Sequence, residues 1–195
     1  MKIFQLIFLF SLAYMPLSIG QDYQLTADSA VSVTVTGTST LHGWTVTAGQ
    51  VEEVPKQLSI TEGDNRTIVD FGFKVRVNSM DGGRGASMNT KIKNELKEEQ
   101  HPTIVYRQTE PATVTHSDTE GLLNITSVGV LNIAGIERNI TVNLEGQKID
   151  NQLIIRGSEA LKFSELDIEP PSAMFGQIVC GDDIAVNFEF RYTTR

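Results

Sequence analysis

Residues 69–78 read Val-Asp-Phe-Gly-Phe-Lys-Val-Arg-Val-Asn, and this stretch carries the strongest structural signal in the chain. Its odd-numbered positions are all apolar, whereas Asp, Gly, Lys, Arg and Asn occupy the positions between them. Because successive side chains of a β-strand point to opposite faces, this alternation predicts a strand with one buried and one polar face. At about 3.3 Å per residue the strand would span roughly 30 Å, which favours a tall barrel over a small sandwich.

The same period of two recurs along the rest of the sequence and predicts seven or eight antiparallel strands. The pairs Ala134-Gly135 and Asp150-Asn151 have the composition of turns between such strands. Gly129 lies inside one run and is expected to mark a β-bulge or bend. Besides the run at 69–77, the predicted strands are the alternating valines of 31–35 and residues 103–108, 122–133, 139–144, 152–156 and 184–192.

One segment, residues 87–99, follows a helical period instead. Met88, Ile92 and Leu96 recur every fourth residue among Lys and Glu, and His101-Pro102 ends the pattern. The spacing predicts a short amphipathic helix that covers a barrel mouth, approached through a flexible glycine-rich segment at 82–85. That segment is not a phosphate-binding loop, because no strand leads into it with the required glycine spacing.

The first twenty residues are typical of a secretory signal peptide, with Lys2, an apolar run at 7–10 and small residues at 18 and 20. We therefore expect residues 1–20 to be removed, leaving residues 21–195 as one soluble domain in the periplasm or outside the cell. The formal net charge of -8 argues against nucleic acid as a partner, because phosphate binding depends on clustered Lys and Arg.

The reactive residue types offer little basis for catalysis or metal binding. His42, His101 and His116 are scattered without the spacing that places two metal ligands on one face. Cys180 is the single cysteine and is expected to behave as a small apolar residue. No nucleophile elbow or triad spacing is present. We expect no metal, no cofactor and no catalytic residue, and we interpret His42, beside Trp44, as a structural residue.

Four stretches together resemble the YceI-like family: GTSTLHGW at 37–44, MNTKIKNELKEEQHPTIVY at 88–106, GVLNIAGIERNITV at 129–142, and residues 161–190. The third is similar to the family pattern G-x-L-x-I-x-G-x-x-(R/K)-x-(I/V). The second is similar to the family's helix and (Y/H)-P-x-I-x-(F/Y) strand, with Pro102 in its matching place. GTSTLHGW replaces the family's Asp-x-x-His-Ser, and LDIEPPSAMFG replaces its Ser-Arg-x-(D/E)-Phe-Gly, so the chain resembles a divergent branch.

The resemblance implies an all-β fold, an extended antiparallel lipocalin-like barrel of about eight strands with one short capping helix. It also implies export to the periplasm and a polyisoprenoid or similar long apolar ligand in the barrel interior. A homodimer is a further expectation from the same resemblance. Aromatic and sulfur side chains on strands or at the mouth are the candidate ligand-binding residues, although the alternation does not identify the face that lines the interior. They are Trp44, Phe71, Phe73, Tyr106, Phe163, Met174, Phe175 and Phe188.

Three alternatives to an exported lipid-binding protein stay open at this level. Strands of an outer-membrane barrel also alternate over about ten residues, although the helix and the irregular segment 79–102 count against that class. A small-molecule enzyme, such as an isomerase or lyase, could use the barrel cavity and His42. A stress or adhesion protein could act through its surface, for which the sequence shows no specific patch.

Overall fold

The computed structural model describes residues 20–26, 31–61 and 66–195, so residues 1–19 of the predicted signal peptide lie outside it. The described residues contain one α-helix, α1 (Ala86–Glu95), and two short 3-10 helices, Val77–Ser79 and Ser164–Leu166. In the ranges described, no helix is long and apolar enough to cross a membrane. The strands are β1 (Gly20–Leu25), β2 (Val31–Ser39), β3 (Gly43–Ala48), β4 (Val51–Glu52), β5 (Gln57–Thr61), β6 (Arg66–Ile68), β7 (Gly72–Arg76), β8 (Met80–Asp81), β9 (Thr103–Gln108), β10 (Ala112–His116), β11 (Leu122–Ile133), β12 (Ile136–Ile149), β13 (Gln152–Lys162), β14 (Ser172–Ala173) and β15 (Ile178–Thr194).

The strands curl into one antiparallel sheet whose two ends meet. Around the ring the order is β4, β7, β9, β11, β12, β13, β15, β2, β3 and β8. Because β4 continues β3 along the chain and β8 continues β7, these ten segments act as eight strands. The ends meet where Thr47 pairs with Asp81 and Val51 pairs with Val75. The all-β class, the antiparallel lipocalin-like architecture and the single helix expected from the sequence are confirmed.

A second set of strands continues the wall at one end and encloses a close-packed core. There β1 pairs with β5 and with the last residues of β15, while β10 pairs with β6 and with the first residues of β11. We call this end the packed half. Its side chains are the most deeply buried in the molecule and include Tyr23, Leu58, Ile68, Leu123, Ile125, Leu153, Ile155, Phe190 and Tyr192.

The prediction of one long strand over residues 69–77 was wrong, because the chain turns near the start of this run and enters a 3-10 helix at Val77. Asp70 has a φ of 58°, in the left-handed region, and Val69 is 50% exposed, so β6 and β7 are separate segments. Beyond this break the predicted alternation holds, since Phe71, Val75 and Val77 are all buried. The apolar face of the quoted stretch is therefore the inner face of the sheet.

The two predicted turns, at 134–135 and 150–151, are present, whereas the predicted bulge at Gly129 is not. Ala134 and Gly135 have φ values of 51° and 86° and join β11 to β12, as a two-residue hairpin of this composition requires. Gly129 forms no bulge, because β11 pairs with β12 through it without a register shift, and the pairing of β11 with β9 begins at this residue. A β-carbon at Gly129 would lie 2.7 Å from the ring of Tyr106, so this glycine makes room for an aromatic ring. The sheet is irregular instead on β15, after Cys180.

Two buried tyrosines on the inner face differ in how their hydroxyl groups are satisfied. The hydroxyl of Tyr106 lies 2.7 Å from Oγ of Ser127, which is itself fully buried. The hydroxyl of Tyr192 is the one buried side-chain nitrogen or oxygen without a hydrogen-bond partner among the described residues. Burial raises the pKa of Tyr192. A buried hydroxyl that makes no hydrogen bond costs stability, whereas a paired one contributes to it.

We predict opposite outcomes for removal of these two hydroxyl groups. Tyr192→Phe should leave the free energy of unfolding unchanged or raise it, because no hydrogen bond is lost. Tyr106→Phe should lower it by about 1–3 kcal/mol, because the hydroxyl of Ser127 is left buried without its partner. Chemical denaturation of both variants measures the difference, and a larger loss for Tyr192→Phe would contradict this assignment.

Candidate functional site

The half of the curled sheet beyond the packed half is hollow. It encloses a cavity of about 150 Å³ that is partly open to solvent. Inward-facing Val, Ile, Leu and aromatic side chains form most of its wall, and Met88 and Ile92 of α1, with Leu96 directly after it, close one end. The helix therefore covers the mouth as the sequence predicted. The arrangement is suited to hold an apolar molecule, since water gains few hydrogen bonds from such a wall.

Five aromatic rings lie between the cavity and the packed half, and we call them the aromatic floor. Phe71, Phe73, Tyr106 and Phe188 line the cavity, whereas Phe190 is fully buried beneath them. The ring centroid of Phe190 lies 5.4 Å from that of Phe71 and 5.8 Å from that of Phe73. The centroids of Phe73 and Tyr106 are also 5.8 Å apart. Aromatic pairs at such separations attract one another beyond the gain from buried area. The floor thus ends the cavity with a rigid surface.

Glycines on neighbouring strands make space for the rings of the wall. Gly157 pairs with Phe188, and a β-carbon there would lie 2.2 Å from the ring. Gly37 pairs with Trp44, and a β-carbon there would lie 2.3 Å from the indole. Real β-carbons do not approach other atoms so closely. The rings can therefore lie flat on the sheet only because these positions carry no side chain.

Hydrogen bonds and one ring contact hold the part of the wall that contains Trp44 and Phe163. The indole Nε1–H donates to the carbonyl of Thr38 at 2.9 Å, and the indole stacks on Phe163 with centroids 6.2 Å apart. The N–H of Phe163 donates to the carbonyl of Asp182 at 3.0 Å. The hydroxyl and N–H of Ser164 both donate to the Asp182 carboxylate, which holds the pKa of Asp182 below its usual range. The irregular segment of β15 thus fixes the position of Phe163.

Helix α1 is attached to the adjoining β8 by polar contacts. The Asp81 carboxylate accepts a hydrogen bond from the Asn89 amide at 3.1 Å, and Asn89 Oδ1 accepts one from the N–H of Gly82 at 3.0 Å. A β-carbon at Gly82 would lie 2.6 Å from Met88, so this glycine lets the helix pack closely. The helix ends before the predicted residue 99, and Lys97 takes a left-handed φ of 53°. In the glycine-rich segment before α1, the N–H groups of Gly82 and Gly83 donate hydrogen bonds to the side chains of Asn89 and Asp81.

The structure brings six of the eight candidate ligand-binding residues together and leaves two outside. Met174 and Phe175 lie at the tip of the β14–β15 turn, where their side chains are 66% and 109% exposed. Both have left-handed φ values, of 50° and 55°, and neither lines the cavity. The six residues in the cavity wall are Trp44, Phe71, Phe73, Tyr106, Phe163 and Phe188.

Sequence reasoning missed the aliphatic majority of the wall and its two carboxylates, those of Glu95 and Glu159. Leu131, Ile140 and Val186 line the cavity, as does Glu159, whose strand extends six residues beyond the predicted end at 156. Their signal was available, because each occupies a position in phase with buried neighbours on its strand. The preference for aromatic and sulfur side chains concealed the aliphatic positions, whereas Glu159 lay beyond the predicted end of its strand.

The other reactive side chains lie apart from one another. His42 is exposed, outside the cavity wall, and its Nδ1 lies 2.8 Å from the carbonyl of Gly43. His101 packs against Gly135. Cys180 lines the cavity, and burial raises the pKa of its thiol. Within the ranges that the structure describes, no group of three or more His, Cys, Asp or Glu side chains could hold a metal ion.

Comparisons with known proteins identify the fold and the family. The model of the YceI-like domain matches residues 23–192. Burkholderia cenocepacia BcnA has a similar structure, with a TM-score of 0.62 at 11% identity over 85% of this chain and 98% of that one. For a polyisoprenoid binding domain from Saccharophagus degradans the TM-score is 0.60, at 13% identity over 89% and 98%. For the Campylobacter jejuni YceI protein it is 0.55, at 13% identity over 77% and 84%. No curated protein matches the sequence significantly.

We predict that Gly37→Ala disturbs the cavity wall, whereas Gly43→Ala does not. The new methyl group at 37 would overlap the indole of Trp44, so stability should fall by about 1–3 kcal/mol and the emission of this single tryptophan should shift. At Gly43, on the adjacent pair, the nearest atom is the carbonyl oxygen of Gly37 at an ordinary 3.7 Å. Thermal unfolding and fluorescence measure both effects. Equal effects of the two variants would show that the ring does not depend on Gly37.

Proposed function

The chain belongs to the YceI-like domain family, and on that premise we propose that it binds a long apolar ligand, a polyisoprenoid or a similar lipid. The ligand would lie in the cavity above the aromatic floor, with its chain against the aliphatic wall. One observation carries this proposal, namely an apolar cavity that the rest of the fold leaves unfilled. A structure whose only task was stability would fill this volume with side chains.

Burial of apolar surface supplies the affinity that such binding needs. Each methylene transferred from water to an apolar wall contributes up to about 0.8 kcal/mol, so no catalytic or charged group is required for tight binding. Engineered apolar cavities of about this volume stay dry and bind small apolar guests. Because the cavity is partly open, a chain longer than the cavity can extend through the mouth.

The relatives support the same ligand class. The Saccharophagus degradans protein of similar fold is described as a polyisoprenoid binding domain. At 13% identity the likeness itself concerns the fold, so the ligand is transferred to this chain as a proposal. What supports the transfer is the apolar wall, which the fold alone does not dictate.

We also propose that residues 1–20 direct export and that the ligand is bound in the periplasm or outside the cell. The support is the pattern of a cation, an apolar run and small residues at the N-terminus. Cell fractionation combined with mass measurement of the intact protein tests this. We expect an exported protein that begins near Gln21, and an intact Met1 in the cytoplasm would contradict it.

The binding proposal predicts that a side chain added inside the cavity blocks the ligand. Val35 lines the cavity and pairs with Val186, next to the floor. Val35→Phe should displace at least two methylenes of the ligand and weaken binding of a tetraprenyl hydrocarbon by about tenfold or more. Val69→Phe, at a position that is 50% exposed, adds the same group outside the cavity and should leave binding unchanged.

Displacement of a fluorescent apolar dye measures the dissociation constants, and thermal unfolding checks that both variants are folded. If wild type binds the hydrocarbon and Val35→Phe binds it equally well, the ligand lies elsewhere. If wild type takes up neither dye nor hydrocarbon, the proposed function is wrong.

A further inference from the structure

A single carboxylate interrupts the apolar wall just above the aromatic floor. Glu159 lines the cavity and pairs with Val186 across β13 and β15. Two residues earlier on β13, Gly157 pairs with Phe188 of the floor, and two residues later Leu161 pairs with Ile184 in the wall. Since one inward position follows another about 6.6 Å along a strand, Glu159 lies one layer above the floor. It is therefore deep in the cavity and not at the mouth.

Glu159 makes no hydrogen bond and no ion pair within the part of the chain that the structure describes. Its burial raises its pKa, and this desolvation is the one cause of the shift. Burial also raises the pKa of the nearby Tyr106, to which the charge of Glu159 adds, whereas the hydrogen bond with Ser127 opposes the rise. The hydroxyl of Tyr106 is thus already engaged, and the Glu159 carboxylate faces the cavity without a partner.

The sheet itself parts at the level of this carboxylate. Pairing between β12 and β13 runs from Ile149 and Gln152 to Leu144 and Gly157, and both strands then continue unpaired with each other. Glu159 follows directly after this point and is only partly buried. Water can reach the carboxylate when the cavity is empty, which lowers the cost of keeping an unpaired charge there.

The charged side chains in the cavity wall are all acidic. The charged side chains that line the cavity are Glu95, at the end of α1, and Glu159, and the wall contains no Lys or Arg from the described residues. An anionic end group near Glu159 would bring two negative charges together in apolar surroundings, with no Lys or Arg in the wall to offset them. A hydroxyl or an amine would instead donate a hydrogen bond to the carboxylate, and an ammonium group would also neutralise it.

We propose that Glu159 anchors the polar end of the ligand, and that this end is a hydrogen-bond donor, a hydroxyl or an amine, and not a phosphate. The ligand enters with this end first, donates to the carboxylate above the floor, and lays its apolar chain along the wall toward α1. The proposal rests on the proposed function and specifies the ligand of the same cavity. Glu159 is then a specificity-determining residue, placed where an apolar side chain would pack better in the empty protein.

Four tetraprenyl probes of equal length test this proposal, with a hydroxyl, an amine, a phosphate or no polar group at the end. Their dissociation constants are measured by dye displacement for wild type, Glu159→Gln, Glu159→Leu and the control Glu120→Gln, which removes an exposed carboxylate outside the cavity wall. Each affinity is expressed relative to that of the hydrocarbon for the same variant, so that general changes in the cavity cancel. Thermal unfolding of the ligand-free variants is measured in parallel.

For wild type we expect the alcohol and the amine to bind about tenfold more tightly than the hydrocarbon, and the phosphate to bind more weakly than the hydrocarbon. Glu159→Leu should remove the tighter binding of the alcohol and the amine, because their polar ends then lack an acceptor, while the phosphate should stay weaker than the hydrocarbon because its charge is still unpaired. The ligand-free form of this variant should unfold at a higher temperature than wild type. Glu159→Gln should keep the preference for the alcohol, because an amide oxygen still accepts a hydrogen bond, and should reduce the preference for the amine. Glu120→Gln should keep the wild-type order.

The proposal is overturned if Glu159→Leu keeps the wild-type order, or if wild type binds the phosphate as tightly as the alcohol. A preference that is lost equally in Glu120→Gln would also contradict a specific role for Glu159. If wild type binds the hydrocarbon but shows no preference among end groups, this inference fails and the proposed function stands. If wild type binds none of the four probes, both fail.

Discussion

The packing of five aromatic rings across the middle of the curled sheet is the constraint on which the rest of the molecule depends. Phe190 belongs to the packed half, and its ring supports those of Phe71 and Phe73 at centroid distances of 5.4 and 5.8 Å. Everything below the rings is closely packed, and everything above them surrounds open space. The rings allow one curled sheet to serve two purposes, because the packed half stabilises the fold while the other half stays hollow.

The wall of the hollow half must hold its shape without side chains that fill the cavity. Flat rings over glycines meet this need, since a ring such as that of Phe188 covers Gly157 and does not extend into the cavity. Hydrogen bonds fix the remaining parts. The Asp182 carboxylate holds Ser164, beside Phe163, and the Asp81 carboxylate attaches α1. These polar contacts lie outside the cavity, so the interior remains apolar except at Glu159 and Glu95.

Much of this architecture could be predicted from the sequence, because alternation reports directly on burial. The run from Phe71 to Val77 identified an inner face, and the four-residue spacing of Met88, Ile92 and Leu96 identified the covering helix. The break at Asp70 was missed because the alternation of apolar residues continues through it, although aspartate adopts the left-handed backbone more readily than most residues. Gly129 was mistaken for a bulge because its role depends on a ring from another strand, which no local pattern records. Glu159 was missed because its strand was predicted to end too early.

The most direct test of the central claim is native mass spectrometry of the protein purified from its own cells without detergent, followed by organic extraction of whatever is released. If the hollow half exists to hold a lipid, the protein should carry a long-chain apolar molecule in near-stoichiometric amount, and the extract identifies its end group. A protein that is isolated empty and does not take up added isoprenoids would contradict the claim. The space above the aromatic floor would then need an explanation other than ligand binding.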